Sequence, residues 1–504
     1  MAEITIIGAG IGGLSAGIFL QRSGHNVTIY EQSATSGGNL IGWKRKEHTI
    51  DNCIHWLTGT NPLTKTFKLW QQIGAFNKNE LYSAEYLYKC ELNGQTVALY
   101  YDLDRTLDQM LKFSPVDRDE ILSFINAVKK VSILTGTVKS KNGGGDIIGD
   151  FINKIYAIPC LIKYYKLDLY ELAQKFKHPL LQKFFTDYID GCFGALALII
   201  TASTFCSGNG ALPYGGSPKM AKNVTQKFLD LGGKIVYNKK ATSVKYNKNK
   251  IESLTLSDGE QIKSDYFIFT GDPFIIYNEI LNKKMPTALL KRYKNLKFQR
   301  FSAIHTAFSV DVTDLPFKGT YITTTPKKYA NLINETRIKL KEYSYEPSFA
   351  PNGKTVIQTI TFCNQGLARY YINLAKDKPQ YNALKNKYSQ AVKECVEQIF
   401  PTLKGKISLL DCWTPYTYYR YTGAKLGEFM SFTLPPKTLP KDLSNKVLDV
   451  KNAVIASQWL TVPGGLPNAL NMGYKAFKTI TLKERLKNIF ALNGIKTAKS
   501  KVTN

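Results

Sequence analysis

The chain has 504 residues, more than the roughly 100–200 of one compact domain, so at least two domains with a sizeable core are implied. Hydrophobic residues make up 44% and charged residues 21%, the balance of a globular protein, and the longest apolar run, "GALALIITA" from Gly194 to Ala202, is about half the roughly 18 residues of a membrane span, which excludes a spanning helix. The formal charge of +28 leaves nucleic acid, acidic substrates, anionic lipid and a merely solvated lysine-rich surface all open.

Residues 3–31 predict a strand, "ITIIGAG", a helix, "IGGLSAGIFLQRSG", and a second strand, "HNVTIYE", which together make one βαβ unit. With a strand starting at residue 3 no secretory leader is expected, and the cytoplasm is the predicted compartment. The eight cysteines, at 53, 90, 160, 192, 206, 363, 395 and 412, contain no C-x-x-C pair, so neither a disulfide framework nor a metal site is predicted. Gly8, Gly10 and Gly13 form G-x-G-x-x-G at the strand-to-helix turn: the first permits the tight turn, the second lets the backbone approach a pyrophosphate and the third lets the helix pack closely. Glu31 follows at the roughly 20-residue spacing of a ribose-binding carboxylate, and its charge would repel a 2′-phosphate, which favours FAD or NAD over NADP.

Six residues on, "EQSATSGGNL" adds the pair Gly37-Gly38, giving E-x5-G-G after a nucleotide-binding unit. With this extension the chain resembles the flavin-dependent amine oxidase and phytoene desaturase superfamily. The segment from "LPYGGSPKMAKN" to "FIFTGDP" resembles that family's central flavin-domain segment, and "TPYTYYRYTG" and "SQWLTVPGGLPNALNMGYKAF" resemble its C-terminal signatures. The resemblance implies FAD as cofactor, held by Gly8, Gly10, Gly12, Gly13, Glu31, Gln32, Gly37, Gly38 and Asn39 on the ADP side, by the Val244 backbone at the adenine, and by Trp459, Gly464, Gly465 and Leu466 near the flavin. Asn39 departs from the family, in which Arg or Lys is frequent, so one phosphate contact is expected to be weaker or replaced.

"DNCIHWLTG", Asp51 to Gly59, places an acid, a thiol, an imidazole and an indole within six residues. Cys53 and His55, two apart on an extended segment, point the same way with no third group to orient the imidazole, so a nucleophile and its base are not indicated. The segment resembles "D-x-G-I-H-Y" of retinol saturase and carotenoid isomerase relatives, with Cys53 in a usual glycine's place, which implies that His55 and Trp56 meet flavin and substrate.

Residues 117–206 have helical periodicity, and within them "CLIKYYKLDLYELAQKFKHPLLQKFF", Cys160 to Phe185, interleaves apolar residues with lysines. Two readings fit: helices of a substrate domain, or a surface resting on anionic lipid. A β-meander is predicted over 232–271 from the turns "NKNK" and "SDGE", long strands at "FSAIHTAFSV" and "GKTVIQTITF" with His305 a satisfied core histidine, and a helix at about 378–399. No second dinucleotide fingerprint appears: "NGGGD" at 142–146 lacks a preceding strand and "SGNGALPYGG" lacks the spacing, so electrons are expected to pass to or from substrate, a diffusing carrier, a quinone or oxygen. In "PGGLP", Pro467 suits the first turn of a helix whose N-terminus could face the flavin's pyrimidine edge. From Lys478 onward seven basic residues stand against one acid.

The predicted fold class is α/β: a discontinuous Rossmann-like FAD-binding domain of glutathione-reductase type (1–75, 207–290 and 441–485), an inserted α+β substrate or membrane-facing domain (76–206 and 291–440) and a basic tail (486–504). The resemblance implies an FAD-dependent oxidoreductase acting on carbon–carbon double bonds of a lipophilic polyene, isoprenoid or unsaturated acyl chain as desaturase, saturase or isomerase. His55, Arg420 and Glu428 are its proton-transfer candidates, and Trp56 and Tyr419 its substrate contacts. An amine-oxidase-like enzyme on a polar amine is the alternative, kept open by Tyr416, Tyr418, Tyr419 and Tyr421 as an aromatic cage. A flavoprotein without turnover, such as a lipid carrier, is the third. An anionic membrane surface at the inner face is the expected partner if the lysine-rich helices bind lipid; nucleic acid is not expected, because no stacking or recognition motif accompanies the charge.

Overall fold

The computed structural model describes residues 1–136, 158–333 and 335–502. Its first layer is a parallel five-stranded sheet whose strands run, in spatial order, Lys234–Val236, Asn26–Tyr30, Glu3–Ile7, Tyr266–Phe269 and Ala453–Ile455. The chain therefore returns to this sheet from three distant segments. Tyr266–Phe269 is buried at every position, as a strand covered on both faces must be. The helix Ile11–Arg22 covers one face, buried from Ile11 through Leu20. It crosses the C-terminal helix so closely that a Cβ on Gly473 would stand 1.9 Å from Ser15 Oγ.

The predicted meander over 232–271 is divided instead between two sheets. Lys234–Val236 and Tyr266–Phe269 join the parallel sheet, while Ala241–Asn247, Lys250–Leu256 and Gln261–Ile262 form a separate antiparallel sheet. The physical reason is apolar content: "YFIF" needs cover on both faces, whereas "ATSVKYN" alternates and keeps one face wet.

The second layer is a seven-stranded sheet in the order Ser408–Trp413, Ser302–Asp311, Lys354–Cys363, Arg337–Glu342, Thr320–Thr324, Tyr86–Leu92 and Gln95–Tyr100. Ile304, Phe308, Leu340 and Ile357 on one face pack with Tyr371, Tyr388, Val392 and Val396 of the helices Gln365–Leu374 and Lys378–Ile399. The other face carries His305, Gln358, Ile360, Lys339 and Lys341, and meets the segment that contains "DNCIHW".

In the Cys160–Phe185 stretch, Leu169–Ala173 starts at a capping box between Asp168 and Glu171, and Pro179–Thr186 starts at His178, whose Nδ1 accepts from Leu180 N at 3.2 Å. Leu169, Leu172, Phe176, Leu180, Leu181, Phe184 and Phe185 are buried in the main core, which favours the substrate-domain reading for these two helices. Ile158 and Ile162, just before them, are exposed. No helix among the described residues is long and apolar enough to cross a membrane. Leu466–Val502 is one continuous helix, so residues up to 502 of the expected separate tail extend that element. "NGGGD" at 142–146 lies outside the described residues.

Candidate cofactor and substrate site

A cleft of about 560 Å³ opens at the carboxyl ends of the parallel strands. That is where open α/β sheets bind their ligands. One wall is the glycine turn. Gly8 has φ +102° and a Cβ there would lie 2.1 Å from Thr270 Oγ1, so only glycine permits this turn. A Cβ on Gly13 would meet the Gly8 carbonyl at 2.1 Å, which makes Gly13 a packing residue behind the wall, while Gly8, Gly10 and Gly12 line it. Gly37, with φ +115°, donates its N–H to the Ala9 carbonyl at 2.8 Å and so docks the second glycine pair against the first.

Glu31 is buried at the cleft wall, where its Oε2 accepts from Ala9 N at 2.7 Å and its Oε1 from Ser33 N at 2.8 Å. Burial raises its pKa, and the backbone donors of Ala9 and Ser33 oppose that rise. Gln32 lines the cleft with its Nε2 donating to the Tyr421 carbonyl at 3.2 Å. Asn39 donates Nδ2 to the Phe429 carbonyl at 3.1 Å, and its buried Oδ1 has no partner among the described residues. A glycine cradle without Cβ atoms, a carboxylate one strand away and an orphaned amide oxygen in the wall fit a dinucleotide.

Several predicted residues take other places. Val244 is outside the cleft: its strand runs away from the wall, where it pairs with Leu254, and Ala241, three residues earlier, is the one that lines it. Trp459 and Leu466 line the cleft. Gly464 and Gly465 stand behind it, and a Cβ on Gly464 would be 2.2 Å from Ser431 Oγ.

Arg420 and Tyr419, expected at the reacting end, are exposed and line the cleft next to Tyr421, whose carbonyl accepts from Gln32 and Ser33. They stand at the Glu31–Ser33 end of the cleft, because the Tyr421 carbonyl of the same helix holds Gln32 and Ser33 there. Tyr418 points the opposite way: its hydroxyl donates to Asn52 Oδ1 at 2.8 Å and lies 3.0 Å from His305 Nε2. Tyr418 is therefore separated from Tyr416, Tyr419 and Tyr421, which line the cleft. Glu428 lines the cleft but is held in a buried ion pair with Arg300 Nε at 3.2 Å, its other oxygen accepting from Leu426 N at 2.8 Å.

The "DNCIHWLTG" segment lies outside the cleft wall and is fixed from its first residue. Asp51 accepts from the backbone of Cys53, Ile54 and Ser217 at 3.0, 3.3 and 2.9 Å, and from the Ser217 hydroxyl. Asn52 Oδ1 accepts from Trp413 Nε1 at 2.8 Å as well as from Tyr418, and its Nδ2 donates to the Asn39 carbonyl at 3.3 Å. Burial, with Asp51 adding, pushes the Cys53 thiol far above its ordinary value, so it is a protonated packing group and no nucleophile. Burial, then the charges of Lys341, His305 and Lys339, hold His55 well below its usual range, so it is neutral at pH 7. His305 is buried against Trp413, ring centroids 4.6 Å apart, and burial lowers its pKa to about 3; it is a core histidine but not the fully satisfied one expected, because its buried Nδ1 has no partner among the described residues.

Sequence reasoning missed Asp272, Lys339 and Lys341. Asp272 lines the cleft, accepts from Tyr293 Oη, Phe274 N and Lys425 N, and is raised to about 6 by burial and then by Glu428. Lys341 Nζ donates to the carbonyls of Ile54 and His55 at 2.8 and 3.3 Å. In "RIKLKE" both lysines read as the wet side of an alternating strand, and nothing local signals that this side faces inward.

The family model for flavin containing amine oxidoreductases matches residues 11–476. The lycopene-forming phytoene desaturase of Pantoea ananas is 27% identical over 322 residues, 60% of this chain and 62% of that protein, so the match spans less than two thirds of that relative. The lycopene-forming phytoene desaturase of a Paracoccus species is 22% identical over 84% of this chain and 86% of its own, and 4,4′-diaponeurosporene oxygenase of Staphylococcus haemolyticus is 20% identical over the same shares. Among solved structures, a Pyrococcus furiosus protein superposes with a TM-score of 0.58 at 16% identity, covering 95% of this chain and 98% of its own. Cyclohexylamine oxidase of Brevibacterium oxydans gives 0.57 at 13%, covering 96% and 99%. These superpositions establish a shared fold.

Proposed function

Because this chain belongs to the family of flavin containing amine oxidoreductases and is an FAD-dependent oxidoreductase, we propose that it acts on carbon–carbon double bonds of a lipophilic polyene, isoprenoid or unsaturated acyl substrate. FAD, when bound, supplies the hydride chemistry. The carrying observation is the character of the groups around His55: half-buried Lys339 and buried Lys341 would repel a protonated amine there, and Tyr418 is the one of the four tyrosines turned to this side. The carotenoid-related names of the relatives support the same substrate class.

In this reading the protein's work is orientation and exclusion of water. Asp51 and Asn52 fix the loop, Lys341 ties its Ile54 and His55 carbonyls to the sheet, and His55 stands there as a neutral imidazole whose surroundings disfavour the protonated form. The direction of reaction follows from which partner reduces or oxidises the flavin. Rapid mixing of holoenzyme with a polyene without oxygen should bleach the 450-nm flavin band, while primary amines should leave it unchanged; bleaching by amines alone would replace this reading with the amine-oxidase one, and bleaching by neither would favour the non-catalytic flavoprotein.

Delivery of such a substrate fits a peripheral site at the inner face of a membrane, with Ile158 and Ile162 exposed beside Lys163 and Lys166. Co-sedimentation with phosphatidylglycerol vesicles that is unchanged in Ile162→Asp would exclude that surface.

A further inference from the structure

The face of the seven-stranded sheet that meets the "DNCIHW" loop carries polar groups to which the proposed reaction assigns no part. Residues paired across a sheet point to the same face. The register pairs His305 with Ile360 and Ile360 with Lys339; one row on, it pairs Ala307 with Gln358 and Gln358 with Lys341. This row is covered by the "DNCIHW" loop, because the Lys341 ammonium donates to the loop's Ile54 and His55 carbonyls.

The donors and acceptors here do not balance. The Lys339 ammonium donates to the Tyr188 carbonyl and lies over the rings of Tyr188 and Phe362, 5.1 and 4.7 Å from their centroids. Among the described residues no carboxylate forms a salt bridge with it: the neighbouring acids Asp187, Asp190 and Glu335 are engaged by Arg337. Gln358 is 3% exposed, its Oε1 accepts from the Tyr343 hydroxyl at 3.0 Å, and its Nε2 has no partner among the described residues. An ammonium with one of three protons engaged and a buried amide donor without an acceptor are costly arrangements that an anionic, acceptor-only group would satisfy together. A hydrocarbon end would satisfy neither.

A chain of contacts joins this row to the wall of the cleft. Phe362, under Lys339, stacks on Phe429 with centroids 6.2 Å apart, and the Phe429 carbonyl accepts from Asn39 in the cleft wall.

We propose that Lys339 and Gln358 bind the carboxylate of a lipophilic acid, so that the substrate is an unsaturated or polyene chain with a carboxylate at one end and its hydrocarbon along Phe362 and Phe429. This rests on the lipophilic double-bond reading and narrows its substrate class. Burial, with Arg337 adding, lowers the Lys339 pKa to about 7, while Glu335, Cys90 and Asp187 act in the opposite sense. The cation that would hold a carboxylate is therefore lost as pH rises above neutrality. His55, held neutral beside it, adds no charge of its own near pH 7.

The test uses holoenzyme and the fluorescence of cis-parinaric acid against its methyl ester, which separates binding from turnover. Wild type is expected to bind the acid about tenfold or more tightly than the ester, a preference that shrinks between pH 6 and 9. Lys339→Met should bind acid and ester alike with unchanged FAD content, and Gln358→Leu, which keeps the lysine, should lose part of the preference. Equal binding of acid and ester by wild type, or a preference that survives in both variants, overturns the carboxylate site and leaves the double-bond reading standing. Binding of neither overturns both.

Discussion

The Asn52 amide oxygen and the Trp413 indole nitrogen lie 2.8 Å apart although 361 positions separate them in the chain. Through this contact, and through its own Nδ2 on the Asn39 carbonyl, Asn52 joins the substrate sheet to the wall of the cofactor cleft. Replacing it by leucine removes the shared acceptor of Trp413 Nε1 and the Tyr418 hydroxyl, both buried. Trp413 Nε1 keeps its 3.2 Å contact to Tyr418 Oη and the Tyr418 hydroxyl its 3.0 Å contact to His305 Nε2, so Asn52→Leu should cost about 1–3 kcal/mol in total, lower the thermal midpoint and weaken FAD retention together. Thermal unfolding followed by both flavin release and circular dichroism checks this; an unchanged midpoint with weakened FAD would mean that the residue serves the cofactor alone.

Asp272 gives stability an unusual sign with pH. Its folded pKa of about 6 lies above the ordinary carboxylate value, so between about pH 4 and 6 the folded protein binds more protons at this group than the unfolded chain does. Its contribution is full below the unfolded pKa and is lost as pH rises through about 6. Relative to wild type, Asp272→Asn should flatten the pH dependence of the urea midpoint in this window. Parallel profiles for the two proteins would show that the carboxyl is ionised throughout.

The Arg300–Glu428 pair separates a structural acid from a catalytic one. Both side chains are almost wholly buried, so Arg300→Met strands a carboxylate and should cost about 3–5 kcal/mol, while the double variant Arg300→Met/Glu428→Gln should recover most of that loss. If the double variant regains stability and also bleaches its flavin with substrate at the wild-type rate, Glu428 transfers no proton.

The parts of this site legible in sequence are those in which backbone geometry dictates residue type over a short span. The Gly8 turn, the close helix approach at Gly13 and the Glu31 carboxylate each leave a local mark, because a Cβ or a wrong charge fails there whatever the rest of the chain does. Placement across long separations left none. Tyr418 and Tyr419 are neighbours in sequence and face different compartments, and Val244 is three residues from the wall that Ala241 lines. Lys339 and Lys341 alternate with Ile338 and Leu340 as in any half-wet strand, and only the sheet pairing reveals that their side is the interior. The same holds for the "DNCIHWLTG" segment: its acid looks available for chemistry until Ser217 arrives from far along the chain to engage it, and the Asn52 contact to Trp413 leaves no local mark.

The parallel sheet has a consequence for synthesis. Its central strand, Glu3–Ile7, is synthesised long before the strand on its far side, Tyr266–Phe269, and longer still before Ala453–Ile455. The glycine turn that receives a dinucleotide thus waits without its opposite wall, and its neighbours stay exposed until partners hundreds of residues away are made. Such non-local closure is slow and vulnerable to aggregation. FAD supply during expression should therefore govern the yield of soluble protein more than it governs the stability of molecules already folded.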